Sequence, residues 1–245
     1  MSDPEKKGII IGSSGGIGTR LCEQLREFGW SLVLAGRDEG KLDSQRDELG
    51  ACAVDTRALD ASEFDAIEEL LGDHSDSTAM VNLAGSILLK PSSSTSRDDF
   101  DATISQNLTT AFACVRAAGK HMRKQGGSVV LMSSCAAQIG LSNHEAISAA
   151  KAGVEGLVRS AAASYAGNNL RFNAVAPGLV DTPMASGILG SEPARKASES
   201  MHPLKRIGQP EEIARVIRML IEPEGAWITG QVIGVDGGMA SVRPK

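Results

Sequence analysis

Seven residues near the start of the chain, Gly12-Ser13-Ser14-Gly15-Gly16-Ile17-Gly18, have the types and spacing to hold a phosphate. They follow a short apolar run and open a helical pattern, so that the backbone N–H groups of a helix start face whatever occupies the turn. Gly12 permits the tight turn, Gly16 lets the backbone approach a pyrophosphate, and Gly18 allows close packing of helix on strand. A glycine-rich turn with no ligand is the alternative at this point. After the second apolar run the chain reads Ala35-Gly36-Arg37-Asp38. A protein that prefers NAD usually places an acidic residue at this strand end to bond the ribose diol. Here Gly36 and Arg37 stand there, and a guanidinium pairs well with a 2′-phosphate, so NADP(H) is expected in preference to NAD(H). The other reading of Arg37 is a solvated side chain beside Asp38.

Positioning such a loop requires a sheet, and the hydrophobic pattern supplies one. Strand-like runs alternate with helical patterns: Gly8–Ile11 then 17–28, Ser31–Leu34 then 38–48, Ala51–Val54 then 62–71, Ala79–Leu83 then 98–123. The series continues with Ser128–Met132 then 144–166, Leu170–Val175, a loop, helix 210–221 and Val232–Val235. Seven strands with interleaved helices predict an α/β, Rossmann-type doubly wound parallel sheet in three layers. No Pro- or Ser-rich linker divides the chain, so residues 1–245 are expected to form one nucleotide-binding domain. Ser96-x-x-Asp99 reads as a capping box that closes the Pro91–Ser96 loop.

Composition narrows the partners. Of the 245 residues, 42% are hydrophobic and only 3% aromatic, which suits buried parallel strands under Ala-rich helices. A net charge of -5 gives no electrostatic reason to expect nucleic acid or an anionic membrane. The opening Met1-Ser-Asp-Pro-Glu-Lys-Lys lacks the apolar run of a secretory signal, and no stretch reaches the roughly 18 apolar residues a membrane span needs. Cys22, Cys52, Cys114 and Cys135 have no zinc or redox spacing, so no metal is expected and a reducing, cytoplasmic setting fits. Cys135 reads as buried filler or as a reactive thiol.

With Gly12-x-x-x-Gly16-x-Gly18 in place, later landmarks fall in an order that resembles the short-chain dehydrogenase/reductase family over essentially the full length. Val54-Asp55 looks like its adenine-contacting strand end. Asn82-Leu83-Ala84-Gly85 resembles its Asn-Asn-Ala-Gly motif, which borders the cofactor. Asn107 matches the helix asparagine that holds a relay water, Ser134 the catalytic serine, and Lys151 the lysine of Tyr-x-x-x-Lys. Pro177-Gly178 with Thr182 looks like the loop that meets the nicotinamide amide, and Gln209-Pro-Glu-Glu, Ile228-Thr-Gly-Gln and Val235-Asp-Gly-Gly complete the match. The resemblance implies a nicotinamide-dependent oxidoreductase of the carbonyl reductase or alcohol dehydrogenase type, acting on a small molecule as a homodimer or homotetramer.

One position departs. Four residues before Lys151, and thirteen after Ser134, stands Ile147 where the resemblance implies a proton-donating tyrosine. The single tyrosine, Tyr165, is 14 residues past Lys151, roughly 20 Å along a helix axis. Three readings follow. In the first, His144 replaces the phenol: positions 144, 147, 148 and 151 share a helical face, and Ser142-x-x-Glu145 as a capping box would put His144 in the first turn, where a neutral imidazole could donate to an oxyanion. In the second, Ser134, Lys151 or a water supplies the proton, or another bond is reduced. In the third, the chain is a non-catalytic dinucleotide-binding protein, a sensor or the silent subunit of a mixed oligomer. Residues 181–205, with Met184, Ile188, Leu189 and Met201, are expected to form a substrate lid. The Ala- and Gly-rich segments 98–123 and 144–166 either meet a neighbouring subunit or pack on the sheet.

Overall fold

The computed structural model describes residues 6–243. The charged opening Met1–Glu5, read above against a secretory signal, lies outside them.

Seven strands form one wholly parallel sheet in the order β3-β2-β1-β4-β5-β6-β7. They are β1 (Lys7–Ile11), β2 (Ser31–Gly36), β3 (Ala53–Ala58), β4 (Ala79–Asn82), β5 (Gly127–Met132), β6 (Leu170–Pro177) and β7 (Val232–Val235). The order reverses between β1 and β4, which leaves a crevice beyond their carboxyl ends where open α/β sheets bind ligands. Each inner strand is apolar on both faces because each face has its own core. Ile9, Ile11, Val33, Met80, Leu131 and Phe172 pack under α3 (Phe64–Asp73), α5 (Thr110–His121) and α6 (Glu145–Tyr165). Ile10, Leu32, Leu34, Val81, Val130 and Val175 pack under α1 (Gly16–Glu27), α2 (Glu39–Leu49) and α8 (Pro210–Ile221). Tyr165 stacks against Phe172 with ring centres 5.6 Å apart, so the lone phenol belongs to this packing.

Three sequence expectations change. Strand β3 begins at Ala53 and runs to Ala58, whereas the apolar run suggested Ala51–Val54, because its half-polar Asp55-Thr56-Arg57 still pairs with Val33, Leu34 and Ala35. Segment 98–123 is two helices, α4 (Arg97–Ile104) and α5, joined by a π turn over Ser105–Thr109. Side chains there compete for helix carbonyls: Asn107 Nδ2 donates to Thr103 O at 2.9 Å and Thr110 Oγ1 to Gln106 O at 3.2 Å. The capping box at Ser142 does not form. Asn143 takes a left-handed φ of 64°, its carbonyl accepts from Lys90 N at 2.8 Å, and the N-cap of α6 is His144 itself. The other box, Ser96 with Asp99, is present at α4. The stretch 181–205 contains α7 (Glu192–Met201), tied to its base by Arg195 with Asp181 at 3.0 Å. Among the described residues, no helix is long and apolar enough to cross a membrane.

Candidate active site

The glycine loop turns directly out of β1. Gly12 has φ 78°, and a Cβ there would lie 3.1 Å from Ala84 N, so the loop lies against the end of β4. A Cβ at Gly18 would run into the carbonyls of Gly12 and Ser13, which is why this turn of α1 can sit so close to β1. A Cβ at Gly16 would come within 2.9 Å of Thr182 Cγ2, so the loop also meets the segment after β6. No side chain caps α1 and its first turn carries no acid. Its first N–H groups and positive dipole end therefore remain for an anion. Ser14, Gly16 and Ile17 retain surface, whereas Ser13 is fully buried and passes its carbonyl to Gln45 Nε2 at 2.9 Å. Ser13 thus shapes the loop from beneath, its hydroxyl buried without a hydrogen-bond partner among the described residues.

At the neighbouring strand ends, Gly36 O accepts from Leu59 N at 2.8 Å, which sets Arg37 beside the turn carrying Asp60. The positive field of Arg37 is among the causes that hold the Asp60 carboxyl below its ordinary range, after the Ser62 hydrogen bonds. Arg37 is exposed and in no ion pair among the described residues, while Asp38 N-caps α2 through Lys41 N. Asp55 is displaced from its expected place. It lies in mid-strand with its carboxylate 2.8 Å from His74 Nε2 and 3.4 Å from Arg57, so the acidic group at the end of β3 is Asp60. The signal for this was available in the register: β3 had to extend as far as Gly36 on β2.

The potential chemical groups converge where β4, β5 and α6 meet. Asn82 is structural, its Oδ1 accepting from Ala84 N at 3.0 Å and its Nδ2 reaching Thr110 Oγ1 at 3.3 Å. The π turn presents Asn107, which exchanges hydrogen bonds with Ser86: Ser86 N donates to Asn107 Oδ1 at 3.2 Å and Asn107 Nδ2 donates to Ser86 Oγ at 3.1 Å. A Cβ at Gly85 would be 2.9 Å from Asn107 Oδ1 and 3.5 Å from Lys151 Nζ, so these three positions enclose one small space. Lys151 Nζ donates to Met132 O at 2.8 Å, and burial lowers its pKa to about 8.

Ser134 Oγ accepts from Ala136 N at 3.2 Å, which fixes its lone pair and leaves its O–H to point elsewhere. The turn that carries it is bound to α6 by Ser148 Oγ to Ala136 O at 2.7 Å. Two further bonds, Ser133 Oγ and Gln138 Nε2 to Glu155 Oε1 at 2.9 and 3.0 Å, hold it farther along. Ser133 and Glu155 were not singled out in the sequence, and position 148 only as part of a helical face, since their bonds appear only when the turn folds onto the helix. Ile147 is buried on α6. Cys135 is buried too, its Sγ 3.7 Å from Met239 Sδ, and burial pushes its thiol up to about 11, which makes it filler.

His144 Nδ1 lies 2.7 Å from Ser142 O. A carbonyl only accepts, so Nδ1 carries a proton, and in a neutral ring Nε2 would then hold a lone pair and could donate nothing. The neutral-imidazole donor expected from the sequence is therefore excluded by this bond. Only the imidazolium offers an Nε2–H.

A family model described as Enoyl-(Acyl carrier protein) reductase matches residues 11–240. A 3-oxoacyl-[acyl-carrier-protein] reductase of Thermotoga maritima is 34% identical over 94% of this chain and 96% of its own. A tropinone reductase homologue of Arabidopsis thaliana is 31% identical over 94% and 91%. Among solved structures, actinorhodin polyketide ketoreductase with NADPH superposes with TM-score 0.90 at 26% identity, over 97% of this chain and 98% of that one. The chain belongs to the short-chain dehydrogenase/reductase family.

Proposed function

We propose that the chain is an NADP(H)-dependent oxidoreductase that interconverts a carbonyl and an alcohol, with His144 delivering the proton in place of a phenol at Ile147. The observation that carries this reading is the His144–Ser142 hydrogen bond, which fixes the ring and leaves Nε2 as its one free functional atom. The cradle fits a dinucleotide: three glycines whose side chains would fill it, an uncapped helix start, and Arg37 with no ion pair among the described residues. NADPH when bound supplies the hydride. Ser14, Gly16, Ile17 and Gly18 would take the phosphates, with Ala84, Gly85, Pro177, Gly178 and Thr182 bordering the nicotinamide half. Lys151 would hold a ribose hydroxyl. The Ser134 O–H would hold the substrate oxygen while the His144 imidazolium passes its Nε2 proton to that oxygen, becomes neutral and regains a proton from solvent. Helix α7 and its flanks would cover the substrate. The deciding experiment is NADPH oxidation over a panel of carbonyls that includes a 3-oxoacyl thioester, on wild type and His144→Ala.

Cofactor choice rests on Arg37. NADPH should bind more tightly than NADH, and Arg37→Ala should remove most of the preference, a loss of about 1.5–3 kcal/mol for a charge-assisted contact. Titration calorimetry with both nucleotides reads this directly, and equal wild-type affinities would refute it.

For assembly, the favoured reading is a homodimer or homotetramer joined through α4, α5 and α6. Phe100 and Phe112 are 41% and 48% exposed on the first two of these helices, an arrangement that a neighbouring subunit would cover. Light scattering at micromolar concentration should return two or four chain masses, and a monomer would reject the assembly.

A further inference from the structure

His202 ends α7 and is buried, yet no step above uses it. Its Nδ1 lies 2.8 Å from Ser198 O and its Nε2 lies 3.1 Å from Leu179 N. Ser198 O can only accept and Leu179 N–H can only donate, so both ring positions are specified: Nδ1 carries a proton and Nε2 a lone pair. Leu179 follows Pro177 and Gly178, the loop assigned above to the nicotinamide half. A Cβ at Gly178 would fall 2.7 Å from His202 Nε2 and 3.0 Å from the Asp236 Cα, and one at Gly237 would fall 3.6 Å from His202 Cβ. One imidazole thus joins the covering helix, the loop after β6 and the turn after β7.

We propose that His202 is a positioning residue whose neutral ring clamps α7 to the Pro177–Leu179 loop, and that acid opens the clamp by setting an Nε2–H against the Leu179 N–H. The charged groups around it do not offer an easy substitute contact. Asp236 already accepts from Gly238 N at 2.9 Å and Ala240 N at 2.7 Å. Glu212 is held bidentately by Arg206 at 2.6 and 2.7 Å. On its own segment, Glu199 and Lys205 flank the ring through backbone bonds, Glu199 O accepting from His202 N and Lys205 N donating to His202 O. A protonated ring would therefore leave its Nε2–H and the Leu179 N–H both without an acceptor in a buried place, and separation of helix and loop relieves this.

The consequence for ligands rests on the proposed cofactor site, and the test separates the two. In the ligand-free wild type, imidazole ¹⁵N shifts at neutral pH should report His202 with Nδ1 protonated and Nε2 bare, and exchange of the Leu179 amide should speed up in acid beyond its intrinsic pH dependence. Between pH 8 and pH 5.5, NADPH affinity of the wild type should fall about ten-fold more than that of His202→Gln, which keeps a carbonyl acceptor but cannot be protonated. Protonation of the nucleotide's own 2′-phosphate affects both proteins alike and cancels. An Nε2–H tautomer, a Leu179 amide indifferent to acid, or identical pH dependence in the two proteins would overturn the clamp. If wild type binds no NADPH at any pH, the cofactor reading fails while the ¹⁵N and exchange data still decide the clamp.

Discussion

His144→Ala should lower carbonyl reduction about 10²-fold or more while leaving NADPH affinity nearly unchanged, because a positioned general acid contributes on the order of 10²–10⁴ in rate and His144 has no part in the proposed dinucleotide contacts. The hydrogen bond to Ser142 adds a condition on pH. Since only the imidazolium has an Nε2–H, the reductive direction needs the protonated ring and the alcohol-oxidising direction the neutral one. Stopped-flow turnover across pH with both variants reads the two effects together. Ile147→Tyr supplies the independent check. Its phenol would lie one helical turn from Lys151, at the cost of overpacking a buried position by about 1–3 kcal/mol. Turnover should rise or hold, with the dependence on His144 reduced. Should wild type bind NADPH, reduce nothing, and gain reductase activity only with Ile147→Tyr, the enzyme reading is rejected and the chain is a binding or partner subunit.

The fold was legible because parallel strands buried on both faces leave largely continuous apolar runs, and β1, β2, β4 and β5 are such runs, while β6 is interrupted by Arg171 and Asn173. Strand β3 is an edge strand and carries Asp55, Thr56 and Arg57, so hydrophobicity alone ended it early and put Asp55 at a strand end, where the structure has it in mid-strand. The glycine loop was legible because Gly16 and Gly18 meet neighbours that leave no space for a Cβ and Gly12 holds a left-handed φ. Ser13 is buried while Ser14 retains surface, a difference that nothing in Ser13-Ser14 announces. The start of α6 was misjudged for a more specific reason. Ser142 and Glu145 have the spacing of a capping box, but a contact from Lys90, far away in sequence, favours a left-handed Asn143 and moves the cap to His144. That two-residue shift leaves His144 Nδ1 against Ser142 O, which decides the protonation state in which the histidine can act.

Lys151 joins the catalytic question to stability. Its ammonium is buried, with one hydrogen bond to Met132 O, and desolvation lowers its pKa from 10.5 to about 8. The depressed value means that the unfolded chain binds the proton more tightly than the folded one. Between pH 8 and 10.5 the unfolded state holds more protons, so stability of the ligand-free protein should rise with pH across that window. Below pH 8 the full penalty of a buried ammonium applies, about 2–4 kcal/mol for a shift of this size. Lys151→Met fills similar volume without charge. It should therefore be more stable than wild type at pH 7 by an amount of that order, less the Met132 hydrogen bond, and the two urea midpoints should converge as pH approaches 10.5. NADPH affinity should fall at least ten-fold in the same variant, since the ammonium is the proposed donor to a ribose hydroxyl. A gain in stability together with a loss of affinity would mark Lys151 as a residue whose burial strains the empty fold and is relieved by the ligand. A variant less stable than wild type at pH 7, with a gap that does not change up to pH 10.5, would show instead that the ammonium is fully compensated in place, and the space between Gly85, Asn107 and Lys151 would then have no unmet demand for a hydroxyl.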